Sequence, residues 1–592
     1  MRLAEGEARG RFAAVPVARP GTADGRGRPH VVVVTFAVDG DTSYTAVDQE
    51  PKSGTLLKRL RNSRALVRVG CSTRAMTVQA AGTNAPTRKP VAARTAVTKA
   101  AAAKDRMARG LRRHWPFAVL LGLAAALRAV VLAAYRPALI FPDSVRYLQY
   151  AADFTAGRWS PDGLRQSGYS VLIIPAVLLH DMWLIPLVQH LTGLATAVLG
   201  YAVLVRFGVR TWLAAAAAIP VLFDPLQVVL EQYVLADTWT VFLVSAALAI
   251  LAWPSAWQGH KGQEHKEQRG KGLGEEGRGQ ALRWRPAATC GLLLGVAVTL
   301  READLIMIVA AAVYLAVAVR PRRRLVRRLA TLTGCFLVPV AGYLGWFDAA
   351  HGEPGFTTFA GAFLYGRVAD FASCQGLNLP AYEEPLCPSQ PPAARNANFY
   401  QWDPRSPQWT FQPPPGTSRD AAVRDFSLRI ARHQPLGYAR AVGRDFAYGF
   451  SPVRGAGPER DSPAYLQFRI YIRPDRQADA SIAALGYQPP AVRPGPAAFL
   501  AGYGRWFYVP GPVFAAALVL ALAVLVATRR GRQPDARDAC LLFTAGAVLM
   551  LVPPALFAAF DWRYQLPQLT LIPVAAALAA AAVGGRRGNA AR

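Results

Sequence analysis

Residues Trp115–Tyr135 read WPFAVLLGLAAALRAVVLAAY, with Arg128 as the one charge, and shortly after them comes Phe141-Pro142-Asp143-Ser144-Val145-Arg146-Tyr147-Leu148-Gln149-Tyr150. A bilayer core takes roughly 20 helical residues to cross, so the first stretch predicts a membrane-spanning helix. The second then places a carboxylate at a membrane surface. If Asp143 opens a short helix, Arg146, Tyr147 and Tyr150 follow at i+3, i+4 and i+7 and share its face. An acid, a cation and two phenols then point one way.

The rest of the chain extends that reading. Its 592 residues are 52% hydrophobic and 18% charged, too long and too apolar for a single soluble domain. Apolar blocks fall at about 115–135, 183–205, 211–223, 237–253, 286–300, 303–319, 329–347, 509–527, 539–559 and 567–584. The expected fold is therefore an all-α integral membrane protein with about ten transmembrane helices. Of these, 211–223 and 286–300 are short for a span.

The net charge of +30 raises nucleic acid as a partner, and the location of the charge decides against it. Basic clusters sit at Arg206 and Arg210, Lys261 to Arg285, Arg320 to Arg328, Arg529 to Arg532, and Arg586-Arg587. With ten alternating spans all of these share one side, the cytoplasmic one by the positive-inside rule, and both termini are cytoplasmic. The other short loops carry the acids: Asp143 and Asp162, then Asp224, Glu231 and Asp237, then Glu302 and Asp304, then Asp561. Residues 348–508 hold many arginines yet fall outside, as long loops translocate regardless of charge.

Four regions follow. Residues 1–114 read as a disordered basic tail or as sequence upstream of a true start at Met76 or Met107: between Pro51 and Trp115 there are sixteen Lys or Arg against one acid, Asp105. Residues 115–347 form a transmembrane module whose loop 136–182 holds two interfacial helices. Residues 348–508 are an extracytoplasmic loop domain of mixed structure, and 509–592 carry the last spans and a basic cytoplasmic tail. Cys374 and Cys387 both fall in the long loop, thirteen positions apart, where an oxidising compartment permits a disulfide. No CxxC or His/Cys cluster supports a metal site.

Several side chains stand out. Asp143 reads either as an N-cap or as a functional acid; a capping box would want Glu or Gln at position 146, which is Arg. Arg128, inside the first span, either snorkels or faces the bundle interior, where phosphate is a natural partner. Asp224 and Asp237 look like helix caps, whereas Glu231 does not. Within Arg301-Glu302-Ala303-Asp304 an internal ion pair is expected. Arg563-Tyr564, inside Phe560-Asp561-Trp562-Arg563-Tyr564-Gln565-Leu566-Pro567, reads either as an aromatic belt with a snorkelling Arg or as an anion clamp at headgroup depth.

In its order of features the chain resembles the GT-C membrane glycosyltransferases that use polyprenyl-phosphate sugars, such as protein O-mannosyltransferases and lipid A aminoarabinose transferases. The resemblance rests on Pro142-Asp143-Ser144 with Tyr147, Gly168-Tyr169 before Leu172 to Pro175, the acidic loop Glu231 to Asp237, Gly295 to Arg301, and Arg563-Tyr564, and it covers roughly residues 115–585. It implies a sugar donor on a polyprenyl phosphate and an acceptor hydroxyl on an envelope glycan, lipid or protein. Asp143 is then the general base of an inverting transfer. Arg563 with Tyr564, and Arg128, hold the donor phosphate; Arg146 and Tyr147 position substrate; Glu231 or Asp237 is a second acid. Family members often carry paired acids where this chain has Asp143-Ser144, which leaves a divalent metal and the second carboxylate open. The alternative class is a polytopic transporter or lipid flippase, for which the inverted repeats and mid-span charges are not found.

Overall fold

The computed structural model describes residues 92–253, 276–455, 466–472, 475–528 and 534–583, together with short strands between Val17 and Val69. The Gly-, Lys- and Glu-rich loop 254–285, expected as a flexible linker, lies outside the described residues up to position 275 and is helical from Glu276, and the C-terminal basic tail lies outside them. Met1–Asp105 and Arg106–Arg592 form two compact units. In the first, six short strands make two antiparallel sheets: β1 (Val17–Ala18), β4 (Val34–Asp39) and β5 (Thr42–Thr45) in the order β1-β4-β5, and β2 (Pro20–Ala23), β3 (Pro29–Val31) and β6 (Val67–Val69) in the order β3-β2-β6.

The second unit is helical. Helix α1 (Ala92–Ala134) leads through β7 (Tyr135–Arg136) to α2 (Ser144–Thr155), α3 (Gly168–Leu178) and α4 (Leu184–Arg206). Three short helices follow, α5 (Thr211–Ala217), α6 (Ile219–Phe223) and α7 (Pro225–Leu230), then α8 (Asp237–Ala252). Next come α9 (Glu276–Leu300), a 3-10 turn Glu302–Ile306, α10 (Met307–Ala318) and α11 (Arg322–His351). The long loop contributes α12 (Ala360–Ala369), α13 (Ala397–Trp402), α14 (Pro407–Thr410), α15 (Arg419–His433), α16 (Pro435–Tyr448), α17 (Arg476–Ala484), β8 (Ala491–Val492) and α18 (Pro494–Trp506). The chain closes with α19 (Gly511–Ala527), α20 (Pro534–Phe557), the turn Trp562–Gln565 and α21 (Leu566–Val583).

Among the described residues five helical stretches are long and apolar enough to cross a membrane: Arg113–Ala134, Leu184–Arg206, Arg322–His351, Asp535–Phe557 and Trp562–Val583. A sixth arises if α18 and α19, bent by 49°, count as one span. The chain is thus a multi-pass helical membrane protein by the length and composition of its helices. The remaining expected spans are shorter. Block 211–223 breaks into α5 and α6 at Ala218, ahead of Pro220. Helix α8 has 16 residues, about 24 Å at the usual rise, and α10 has 12, so neither reaches the full hydrocarbon thickness unaided. A window of apolar residues does not reveal where the helix inside it breaks.

The long loop is not one body. Tyr365, Val368, Leu386, Tyr400, Phe411, Phe426 and Ile430 form a small core of their own, beside which Cys374 and Cys387 are joined in a disulfide. Its later part returns to the main core: Leu466, Phe468, Ile482, Ala497 and Leu500 pack there. Strand β8 pairs with β7 directly after α1, and Arg493 N–H donates to the carbonyl of Ala134.

That pairing begins the scaffold of the segment that opened the sequence. Leu139 N–H donates to Gln232 O at 3.0 Å, Val234 N–H donates to Leu139 O at 3.2 Å, and Gln232 Nε2 donates to Tyr135 O at 2.8 Å. Ser144 Oγ accepts from Phe141 N–H and donates to Val234 O, both at 2.9 Å. The chain after α1 is thereby laced to the loop between α7 and α8. On the other side, α3 starts at Gly168, where a Cβ would lie 2.5 Å from the carbonyl oxygen of Thr299 in α9, so only glycine permits this approach.

Candidate active site

Asp143 precedes α2 and is 6% exposed. Its backbone is already helical, and its side chain makes no capping hydrogen bond. The cap alternative is therefore displaced by what the carboxylate does instead. Oδ1 accepts from Arg165 Nε at 3.0 Å and Nη2 at 2.7 Å, and Oδ2 accepts from Arg563 Nη1 at 3.0 Å. Burial alone pushes this carboxyl up, and the guanidinium groups of Arg165 and Arg563 together outweigh it, holding Asp143 below its ordinary value.

Arg563 reaches this position from the turn between α20 and α21. Asp561 caps the turn by accepting from Arg563 N–H at 3.1 Å, and its Oδ2 lies 3.4 Å from Arg563 Nε. The guanidinium carbon sits 5.1 Å from the Phe141 ring centroid and 5.6 Å from that of Tyr564. The turn is tied down by Trp562 Nε1, which donates to Gly455 O at 2.9 Å, and Gln565 Nε2, which donates to Gly449 O at 2.7 Å. The loop 449–455 that takes these bonds is itself anchored by Arg454, whose fork meets both oxygens of Asp224 at 2.7 and 2.9 Å. Asp224 does cap α7, accepting from Leu226 N–H at 2.9 Å, so this acid serves two purposes.

A second pair adjoins the first. Asp237 Oδ1 accepts from Arg301 Nη1 at 2.8 Å, and the Arg301 guanidinium lies 4.8 Å from the Tyr564 ring centroid. Arg301, expected to pair within its own hinge, reaches instead across 64 positions to the start of α8. Tyr564 thus has Arg301 and Arg563 both at its ring, and Tyr147, its hydroxyl pushed up by burial, feels Asp143, Arg165, Arg563 and Asp237. Asp143, Asp237, Arg563 and Tyr564 converge here from ends of the chain 420 positions apart.

The other predicted groups lie in different surroundings. Arg128 is paired with a buried carboxylate: its Nε and Nη2 each donate to Glu231, at 2.8 Å, and its Nη1 donates to Leu222 O at 2.8 Å. Glu231 also accepts from Gln227 Nε2 at 2.8 Å and shares a 2.7 Å hydrogen bond with His190 Nδ1. The two charges are 2% and 0% exposed. Burial opposes ionisation of Glu231, and Arg128 with His190 overcomes it, so its carboxyl too is held below the ordinary value. Arg146 departs from the shared face as well: it forms a two-pronged pair with Asp162, while Tyr147 turns inward to meet the Tyr169 ring edge-on at 4.9 Å. Tyr150 is left beside Phe154, with the Arg146 guanidinium 5.8 Å from its ring.

Arg165 is the member of this cluster that sequence reasoning missed, and Arg301 was read only as half of a pair within its hinge. Arg165 immediately precedes Gln166-Ser167-Gly168-Tyr169, a run that marked the locality without revealing the partner. Among the described residues no three His, Cys, Asp or Glu side chains gather as a metal site.

No family model matches the chain, and no curated protein does. Several solved structures are similar to it. They include the S. cerevisiae protein O-mannosyltransferase Pmt1-Pmt2 complex bound to the sugar donor (17% identity over 46% of this chain and 38% of that one, TM-score 0.29). The Archaeoglobus fulgidus oligosaccharyltransferase AglB, in complex with an inhibitory peptide and a dolichol-phosphate, is similar at 12% identity over 79% of this chain and 50% of that one (TM-score 0.38). ArnT from Cupriavidus metallidurans bound to undecaprenyl phosphate is similar at 15% identity over 79% and 77% (TM-score 0.32). The chain spans half or less of the length of the first two. At such scores the chemistry rests on the geometry above.

Proposed function

We propose that this protein transfers a sugar from a polyprenyl-phosphate-linked donor to an acceptor hydroxyl at the extracytoplasmic membrane face, with inversion at the anomeric carbon. The observation that carries the proposal is the contact between Asp143 Oδ2 and Arg563 Nη1, 3.0 Å long, between the segment that follows α1 and the turn that precedes α21. A base for a hydroxyl and a planar cation for a phosphate stand side by side there, at the depth where a lipid headgroup sits. Both termini are cytoplasmic in this reading.

The steps follow from charge. Asp143 takes the acceptor proton as the oxygen attacks the anomeric carbon, and the sugar–phosphate bond breaks with its electron pair leaving on the phosphate. Arg563, with Tyr564 beside it, stabilises the charge gathering on that phosphate. Asp237, held by Arg301 in the same cluster, is better placed than Glu231 to orient substrate, because the carboxylate of Glu231 is enclosed by Arg128, His190 and Gln227. The acceptor is a hydroxyl of an envelope glycan, lipid or protein.

The test is transfer from defined polyprenyl-phosphate sugars to extracted cell-envelope acceptors by the full-length protein and by Asp143→Asn. Loss of general-base catalysis lowers turnover by about 10²- to 10⁴-fold. Full activity in the variant with a competent donor removes Asp143 from the mechanism.

A further inference from the structure

Asp143 is reached from two directions, and the proposed transfer uses only one of them. Arg165, in the loop between α2 and α3, places both Nε and Nη2 on Oδ1. Its guanidinium carbon also lies 5.4 Å from the Trp402 ring centroid and 5.6 Å from that of Phe363. Those rings belong to α13 and α12 of the loop domain and meet edge to face at 5.5 Å. Gln401, next to Trp402, donates to Phe363 O at 3.3 Å and holds the two helices in register. Arg165 is thus held at one edge by a carboxylate oxygen while its guanidinium carbon lies over two aromatic rings. A guanidinium fork suits both contacts better than a point charge.

Resting on the reading of Asp143 as base, we infer that Arg165 is a positioning residue: clamped by Phe363 and Trp402, it anchors Asp143 Oδ1 and leaves Oδ2 as the oxygen that takes the acceptor proton. Oδ2 is the oxygen that Arg563 occupies at rest. When Arg563 turns to the donor phosphate, Oδ2 loses that hydrogen bond and gains a lone pair for the hydroxyl. Oδ1 stays tethered, so the carboxylate does not swing as it is uncovered. The acceptor O–H bond breaks, its proton goes to Oδ2, and the pair from the sugar–phosphate bond leaves on the phosphate. The loop domain acts on the base through one side chain.

The charged and titratable groups around Asp143 and its two arginines are Arg165 from the α2–α3 loop, Arg563, Tyr564 and Asp561 from the α20–α21 turn, Tyr147 and Arg146 on α2, Asp237 from α8 with its partner Arg301, and Glu302 facing Arg165. Deleting Arg165 alone among them removes one cation and the tether together. The experiment labels the full-length protein with a carbodiimide across a pH series and reads modification of Asp143 by peptide mass spectrometry. Alongside it, transfer kinetics are measured for Arg165→Gln, Arg165→Lys and Trp402→Leu. For Arg165→Gln the half-labelling pH rises by about one unit. Its kcat falls about 10- to 100-fold with donor KM unchanged, as a small misplacement of a reacting group demands. Arg165→Lys restores the labelling midpoint but not kcat, because charge returns without the fork. Trp402→Leu shifts both readouts in the same direction as Arg165→Gln, by less, and carries the test if Arg165→Gln fails to fold. A raised donor KM with kcat intact would make Arg165 a donor ligand and overturn the inference, as would an unmoved labelling midpoint. Full transfer by Asp143→Asn removes the base reading while the labelling result stands on its own. An inactive Asp143→Asn with unmoved labelling removes the Arg165 assignment alone.

Discussion

Glu231 and Asp143 are both buried carboxylates clasped by an arginine fork, but their partners come from different kinds of structure. Glu231 is held by Arg128 from the interior of α1, His190 from α4 and Gln227 from α7, and nothing of it reaches solvent. Asp143 is held by Arg165 from a loop and Arg563 from a turn, with 17% and 14% of those side chains exposed. Helix interiors hold a donor in one place, whereas loops and turns release one at smaller cost. The first cluster fastens the bundle. The second is held by a loop and a turn.

The largest expected difference is in stability. Glu231→Gln leaves the Arg128 fork uncompensated in the core and costs about 3–5 kcal/mol, most of it recovered when Arg128→Met is combined with Glu231→Leu. Asp143→Asn leaves two guanidinium groups that can reach water, and costs less than about 2 kcal/mol while transfer collapses. Denaturation in detergent, compared with transfer per folded molecule, checks both. Equal destabilisation by the two single variants would erase the distinction between the clusters.

A smaller effect separates them through packing. Gly193 in α4 faces Glu231 so closely that a Cβ would lie 1.7 Å from Oε1, whereas around Gly122 in α1 nothing lies within 4 Å. Gly193→Ala therefore presses on the Glu231 carboxylate, which must give way while keeping Arg128, and costs about 1–3 kcal/mol by overpacking. Gly122→Ala, which only restricts an exposed helical position, stays within about 1 kcal/mol of wild type. Thermal unfolding of the two variants side by side reads the contrast, and a neutral Gly193→Ala would mean that the pair is looser than its distances.

The same contrast explains what the sequence could and could not reveal. Asp143 was legible because it follows a span, and Arg563 because it precedes one beside aromatic residues; both signals are local. The pairing of Arg128 with Glu231 spans 103 positions and that of Arg301 with Asp237 spans 64, and neither residue type names its partner. Charge in sequence is an inventory; which charges meet is decided by where helices cross. Arg165 was missed for a similar reason, since its partners are Asp143 and rings supplied by the loop domain. The break inside block 211–223 was not legible because apolar composition runs through Ala218. The two helices after α1 were legible as elements, and the second of them, α3, opens at a glycine because of its approach to Thr299.

Acid pH gives the smallest effect and the finest discrimination. The folded value of Asp143 lies below its ordinary one, so on acidification the unfolded chain takes up the proton first. Its contribution to stability is complete above the ordinary carboxylate range, near pH 4, and is lost as pH falls through the folded value. Glu231 carries the same sign. Glu302 carries the opposite one: burial raises it against the pull of Arg165 and Arg301, so its ionisation opposes folding at neutral pH and the loss is recovered as pH falls through its raised value. Unfolding midpoints between pH 7 and 3 should therefore fall less steeply for Asp143→Asn and Glu231→Gln than for wild type. Glu302→Gln, by contrast, should raise the neutral midpoint and steepen the net acid loss. Only Asp143→Asn should also abolish the acid limb of transfer, because only that carboxylate is asked to carry a proton. A steeper acid loss in Asp143→Asn than in wild type would contradict the ion pairs that Asp143 makes with Arg165 and Arg563.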